Sequence, residues 1–275
     1  MKTGTLTTPD AEIYYEVRGS GPPLLLVNGG DGDAAMFGPL AGRLAEDFTV
    51  ITYDLRGNSR SRLTSPPREQ WIEEHGDDAR LLLDTVAAGE PAYVFGTSYG
   101  GMIGMALLAR NPGRVRALVA HEPFVIDLLP DADRWHALFQ EVYELYEREG
   151  TDAAMGRFCG EIGVDAPPAP EAAGSVPEPV REMLARIRAN VGTCLAYELR
   201  SFVRFRPDAG ALRAARFTIV IGGEGPKTLL HRTTQALAEH VGTGTGVTEF
   251  PGGHVGFLTH PAPFAAALRA AIGDC

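Results

Sequence analysis

The chain has 275 residues, which allows one large domain or two small ones and a sizeable core without disulfide or metal staples. Its composition, 44% hydrophobic and 22% charged, is that of a globular protein and excludes wholesale disorder. Lys and Arg number 25 against 35 Asp and Glu, and the resulting net charge of −10 repels phosphate backbones and disfavours nucleic-acid binding.

In chain order, residues 12–17 alternate polar and apolar side chains, as a half-buried strand does. Residues 24–27 form a short continuous apolar run ending in Asn28-Gly29-Gly30, the pattern of a strand covered on both faces. A helix is expected over 34–45, a strand over 48–53, and a loop rich in Arg and Ser over 54–67. Residues 71–87 place Ile72, Ala79, Leu82, Leu83 and Val86 at helical spacing. A strand at 93–95, a helix at 102–110 and a strand at 115–120 follow. The rhythm returns late, with strands at 217–221 and 246–250 and helices at 229–240 and 264–272. Such alternation builds an α/β fold, a mostly parallel central sheet with helices on both faces.

Between 123 and 214 the pattern is helical, at about 134–149, 152–161 and 179–205, broken by a Pro/Ala-rich loop at 166–179. The expected division is a core of 1–122 and 215–275 carrying a helical insertion of 123–214. Apolar runs such as 24–27 and 102–109 fall far short of the roughly 18 residues of a transmembrane helix. MKTGTLTTPD lacks the apolar core of a signal peptide, and a cytoplasmic location is expected. Cys159, Cys194 and Cys275 fit neither a disulfide framework nor a zinc knuckle and read as reduced structural thiols.

Gly96-Thr97-Ser98-Tyr99-Gly100 matches G-x-S-x-G between a predicted strand and a predicted helix. A sharp strand-to-helix turn of this kind strains the serine backbone, needs small flanking residues and lifts Oγ above the sheet. It also places the hydroxyl near a helix N-terminus, whose free N–H groups favour developing negative charge. Serine needs a base, and His254, in Gly252-Gly253-His254-Val255-Gly256 just after the last predicted strand, can reach the carboxyl edge of the sheet. His75, His231, His240 and His260 are expected to be solvated. An imidazole base is held in one tautomer by a carboxylate. Two acids qualify, Glu122 after the strand at 115–120 and Glu224 after that at 217–221. Asn28-Gly29-Gly30-Asp31-Gly32 follows a central strand, and the N–H groups of Gly30 and Tyr99 would form an oxyanion hole.

These features together resemble the α/β-hydrolase superfamily, capped serine hydrolases in particular. The resemblance rests on the elbow, on Asp54-Leu55-Arg56-Gly57-Asn58-Ser59-Arg60-Ser61, similar to the D-x-R-G-x-G-x-S loop after the family's fourth strand, and on the G-G-H-x-G loop followed by Pro261 and a helix. The order Ser98, acid, His254 fits the family order. It implies an α/β-hydrolase fold, with residues 123–214 as a cap after strand six. Two departures stand out. Asn28-Gly29 replaces the family's His-Gly. The G-x-x-D acid after strand seven is missing, since its position falls on Gly225 or Pro226. Members with the acid after strand six, some haloalkane dehalogenases among them, match Glu122, which is therefore ranked first with Glu224 as the alternative. Dehalogenation itself is disfavoured, because those enzymes use Asp where this chain has Ser98.

Trp135, Phe139, Tyr143, Tyr146, Phe158, Tyr197, Phe202 and Phe205 read individually as core and jointly as an apolar pocket for an uncharged ester, lactone or ketone. Arg181, Arg186, Arg188, Arg200, Arg204 and Arg206 read as a solvated face. The leading expectation is a serine esterase or lactonase acting through an acyl-enzyme on Ser98. The open alternatives are a carbon–carbon bond hydrolase, a non-hydrolytic enzyme of the same fold (lyase, cofactor-free perhydrolase or cyclase) and a small-molecule binding protein. No metal or cofactor is implied. The expected partner is a small-molecule substrate, with neither nucleic acid nor membrane, for a monomer or homodimer.

Overall fold

Alternate side chains of the central strands leave the sheet on opposite sides and build two apolar layers. Leu24, Leu26, Phe95 and Val119 enter one cluster, and Leu25, Val27, Val94 and Leu118 the other. The structure, a computed structural model, describes residues 1–164, 176–224, 228–242 and 246–273. Cys275 and residues 166–175 of the Pro/Ala-rich stretch lie outside the described residues.

Eight strands form the body of the sheet: β1 (Lys2–Thr7), β2 (Ala11–Arg18), β3 (Pro23–Val27), β4 (Thr49–Tyr53), β5 (Ala92–Thr97), β6 (Val115–His121), β7 (Phe217–Gly222) and β8 (Val247–Phe250). Their spatial order is β1-β2-β4-β3-β5-β6-β7-β8, and a two-residue strand, Arg62–Leu63, pairs with β2. The β1–β2 and β2–β4 pairings are antiparallel and the remaining neighbours in that order run parallel. β3 lies between β4 and β5, so the chain order reverses there and opens a crevice at the carboxyl ends of β3 and β5.

One face of the sheet carries α1 (Gly38–Leu44) and α10 (Pro261–Gly273), which pack on each other. The other carries α2 (Ile72–Val86), α3 (Tyr99–Arg110) and α9 (Leu229–Val241). Among the described residues, every element between β6 and β7 is helical. After a short 3-10 turn (Ile126–Leu128) come α4 (Ala132–Glu149), α5 (Thr151–Ile162), α6 (Glu178–Thr193), a π-helical turn (Cys194–Glu198), α7 (Leu199–Phe202) and α8 (Ala209–Ala214). α4 and α5 form a hairpin at Gly150, while α8 packs on α3 and α9 and so joins the layer covering the sheet. None of the described helices is long and apolar enough to cross a membrane.

Several expected elements change in detail. The helix expected over 34–45 is a 3-10 turn (Ala34–Phe37) followed by α1, because Gly38-Pro39 interrupts the ladder. The helix expected over 179–205 divides at the π turn. β1 has no counterpart among the expected strands, because its burial is too shallow to leave an apolar alternation. His75, expected in solvent, is buried: its Nε2 meets Gln70 Oε1 at 2.9 Å, and its ring lies edge-on to Phe202. The helix start around it is acidic in sequence, but the insertion covers it.

The loop after β4 is tied internally, residue by residue. Asp54 accepts the Ala34 amide at 2.7 Å and the Arg60 guanidinium at 2.7 and 2.8 Å. Arg56 grips Asp78 of α2 with two hydrogen bonds of 2.6 and 2.8 Å, and Ser61 Oγ donates to the Asp54 carbonyl. Planar two-point pairing of this kind fixes direction as well as distance.

The strand-turn-helix from β5 into α3 works only with glycines on either side of it. A Cβ on Gly96 would stand 2.1 Å from the Gly100 carbonyl oxygen, and one on Gly100 2.1 Å from that of Val27. Backbone cannot yield by that much. Gly100→Ala is therefore expected to lower unfolding free energy by about 3 kcal/mol or more. Gly113→Ala, with nothing within 4 Å of its new methyl, should change it by less than about 0.5 kcal/mol. Denaturant titration of the two variants checks both, and comparable losses would contradict the packing argument.

Candidate active site

Ser98 caps α3 with φ 54° and ψ −122°, a backbone conformation that L residues rarely adopt. The turn follows β5 at the crevice, and the Ser98 amide donates to the His121 carbonyl at 2.9 Å. Glu122, one residue beyond β6, is the second non-glycine at this edge with positive φ, 45°. Its amide donates to the Val220 carbonyl at 2.9 Å, which turns the side chain along the ends of β6 and β7. Oε1 accepts the Gly222 amide at 3.0 Å and Oε2 meets His254 Nδ1 at 2.6 Å. Two strained residues thus stand on neighbouring strand ends, one carrying the serine and the other the carboxylate.

His254 comes from the loop after β8. Its partner identifies Nδ1 as the protonated nitrogen and leaves Nε2 available. The ring lies nearly parallel to that of His121, with an interplanar angle of 16° and centroids 6.1 Å apart. His121 is fully buried, and its Nδ1 is 3.0 Å from Thr97 Oγ1. Burial, assisted by the neighbouring His254, drives its pKa down to about 4 despite the Glu122 charge, so it is neutral near pH 7. Burial alone would raise Glu122. The His254 hydrogen bond, the charges of His121 and His254 and the Gly222 amide outweigh it and hold the carboxyl at about 2.

Glu224 is placed elsewhere. Its side chain is 64% exposed and stands 3.9 Å from His260, so of the two candidate acids only Glu122 pairs with His254.

The Asn28–Gly32 turn leaves β3 directly beside the elbow. A Cβ on Gly29 would lie 2.9 Å from Ser98 Cβ and 3.5 Å from Oγ. One on Gly30 would face the Tyr99 ring at 3.5 Å and Cys194 Sγ at 3.8 Å. Asn28, where the family has histidine, braces the turn from inside by donating to the Asp33 carbonyl. Asp31 faces the site as well: burial raises its carboxyl, and the charge of His254 offsets part of the rise.

The insertion is fastened to this edge. Arg186 of α6 donates to the buried Asp33 carboxylate at 2.6 Å, which corrects the expectation of a uniformly solvated arginine face. Arg200 lies 3.6 Å over the Tyr143 ring. Asn190 donates to the Asp31 carbonyl at 2.7 Å and accepts the Ser59 amide at 2.7 Å. Asn58 donates to Glu198 at 2.9 Å. Burial pushes the Glu198 carboxyl up to about 7, and the bond from Asn58 offsets only part of the rise.

His121, Asp31 and Glu198 carried no sequence signal of their own. His121 adjoins Glu122 and Asp31 lies inside the glycine turn, so only the neighbouring motifs pointed to them. Glu198 lies among the arginines of residues 181–206 with no pattern of its own.

The family model described as the alpha/beta hydrolase family matches residues 24–267. The chain belongs to this family. It is 35% identical over 278 residues to the uncharacterized hydrolase YraK of Bacillus subtilis, covering 98% of this chain and 95% of that protein. It is 28% identical over 263 residues to a pimeloyl-[acyl-carrier protein] methyl ester esterase of Stenotrophomonas maltophilia, covering 94% and 95% of the two chains. A thermophilic esterase from Thermogutta terrifontis superposes with a TM-score of 0.76 at 20% identity, covering 100% and 99%, and shows the shared fold. This alpha/beta hydrolase thus carries a serine on a strained turn, a carboxylate-held imidazole and a glycine turn at one sheet edge. Among the described residues no group of three or more His, Cys, Asp or Glu is arranged to hold a metal.

Glu122 makes acid stability directional. Its folded pKa of about 2 lies below its ordinary 4.5, so between those values the unfolded chain holds a proton that the native one does not. The stabilisation is complete above pH 4.5 and is lost as pH falls through 2. It amounts to about 3 kcal/mol. His121, about 4 against an ordinary 6.5, adds a rise in stability between those two values. Urea titrations should show stability climbing from pH 2.5 to 4.5, with Glu122→Gln flattening that limb, while above 4.5 the rise from His121 is opposed by Glu198, whose carboxyl at about 7 keeps a proton that the unfolded chain has lost. An unchanged acid limb in that variant would contradict the assignment.

Proposed function

We propose that this alpha/beta hydrolase is a serine hydrolase that cleaves a carboxylic ester or lactone of a mostly apolar small molecule through an acyl-enzyme on Ser98. The observation that carries the reading is the His254–Glu122 bond of 2.6 Å at the edge where the strained Ser98 turn emerges. In this reading His254 Nε2 takes the Ser98 proton as Oγ attacks the carbonyl carbon. The Gly30 and Tyr99 amides hold the oxyanion, aided by the positive end of α3. Protonated His254 then gives its proton to the leaving alkoxide as the C–O bond breaks. A water, deprotonated by the same nitrogen, attacks the acyl-enzyme and releases the acid and Ser98. Glu122 stays ionised throughout and stabilises the imidazolium. The helices of 123–214 act as the cap, and Phe124, Phe139, Phe158 and Trp135 form an aromatic cluster that gives its underside an apolar character. The similarity to a methyl ester esterase favours ester over other bonds. A cytoplasmic location belongs to the same reading.

Intact mass after treatment with a small fluorophosphonate is the direct test. One adduct on the wild type and none on Ser98→Ala is expected. Glu122→Gln should lower kcat on p-nitrophenyl esters by roughly 10³–10⁴-fold with KM little changed, while Glu224→Gln stays within about twofold of wild type. Turnover that survives Ser98→Ala would refute the mechanism. Hydrolysis in heavy-oxygen water should leave one labelled oxygen in the acid product, and its absence would point to a non-hydrolytic reaction.

A further inference from the structure

Three buried polar atoms beside the elbow have no task in acyl transfer. Glu198 is 1% exposed; Oε1 accepts from Asn58, and Oε2 has no hydrogen-bond partner among the described residues. Asn58 Oδ1 is likewise buried without a partner, and the buried Tyr99 Oη has the Cys194 thiol as its polar neighbour. Glu198 links them, accepting from Asn58 at 2.9 Å and acting electrostatically on Tyr99. Glu198 raises the pKa of both Tyr99 and Cys194 through its charge, after the larger effect of burial. Cys194 opens the π turn that Glu198 closes, and a π turn is a local register change often found at functional sites.

This cluster adjoins the oxyanion turn. A Cβ added to Gly30 would sit at ordinary contact distance from the Tyr99 ring, 3.5 Å, and from Cys194 Sγ, 3.8 Å. The glycine therefore leaves room for about one methylene between the turn and the cluster. Unpaired buried groups cost about 1–3 kcal/mol each, so such groups in one cluster favour a ligand group that pairs with them.

The donor pattern selects the ligand. Asn58 Nδ2 donates to Oε1, so the proton of a neutral Glu198 belongs on Oε2, which then donates. Asn58 Oδ1 accepts, and Tyr99 Oη does either. A carboxamide or a hydroxyl offers the complementary set. An anion is disfavoured, because the ionisable groups facing Glu198 are Tyr99 from α3 and Cys194 from the π turn, with Asp31 beyond Cys194 on the glycine turn. Arg56, the nearby cation of the β4 loop, is held by Asp78.

We propose that Glu198, Tyr99 and Asn58 form a polar subsite under the insertion that hydrogen-bonds an uncharged carboxamide or hydroxyl at the far end of the substrate's acyl chain. The proposal rests on the serine-hydrolase reading of Ser98.

The test compares kcat/KM for p-nitrophenyl esters of matched length whose acyl chains end in a carboxamide or a methyl group. Wild type should prefer the carboxamide at its best chain length, and Glu198→Leu should lose roughly tenfold to a hundredfold of that preference. The ratio is insensitive to how much variant is folded, so a purely structural role would leave it unmoved. Raising pH through 7 should erode the preference in wild type, as Glu198 ionises, but not in Glu198→Gln. Equal ratios in wild type and Glu198→Leu, or a preference for an ammonium-ended ester, would overturn the subsite. Calorimetry with hexanamide on Ser98→Ala, with and without Glu198→Leu, separates the two readings. Binding lost with Glu198 supports the subsite even if no ester is turned over, a result that would sink the serine reading alone. Binding that is absent, or indifferent to Glu198, counts against the subsite.

Discussion

The pairing of Glu122 with His254 holds the site together. A carboxylate only 2% exposed would be driven neutral by burial unless something repaid the lost hydration. Here the compensation comes from the loop after β8, through His254, and from the end of β7, through the Gly222 amide. One side chain just beyond β6 thereby ties three neighbouring strand ends. The cost of moving any of them is the exposure of an unpaired buried charge. The same arrangement fixes which nitrogen of His254 carries its proton, and so which one faces outward.

The serine side of the crevice depends on steric closeness instead. Gly96 and Gly100 bring backbone to within a distance no side chain would allow, Gly29 lies against Ser98 Cβ, and the result is a serine whose backbone is over-determined by its surroundings. Polar rigidity on the histidine side and close packing on the serine side meet at the ends of β5 and β6, where the Ser98 amide donates to the His121 carbonyl. The insertion then acts on the serine side. Arg186 and Asn190 reach the glycine turn and the β4 loop, so a shift of α6 would be felt by the very backbone that lies against Ser98. Glu198 and Cys194 extend the same contact inward. The insertion therefore shapes the pocket and also constrains the turn beneath it.

Much of this was legible in the residues. The apolar run at β3 reads as a strand covered on both faces, the strands at β5 and β6 are marked by alternation with helices, and the small residues around Ser98 mark a sharp strand-to-helix turn. Glu122 was ranked above Glu224 by resemblance, and the geometry pairs it with His254. The illegible parts share a cause. His75 and Arg186 sit in charged stretches that look solvated until another segment closes over them. β1 is too exposed to leave an alternation, and the break at Cys194–Glu198 changes register without any proline or glycine to mark it.

What the sequence determined by itself is the set of local instructions: strand and helix periods, the glycine spacing that admits a strained turn, and the order of serine, acid and histidine along the chain. These depend on neighbours within a few residues, where sterics and burial period leave little choice. Tertiary structure decided which acid meets the histidine, because Glu122 and Glu224 both follow strands and differ only in where those strand ends point. It also decided which charges are buried. Desolvation depends on what is packed above a residue, and for Asp33, His121 and Glu198 the covering or neighbouring groups come from chain segments that no local pattern announces.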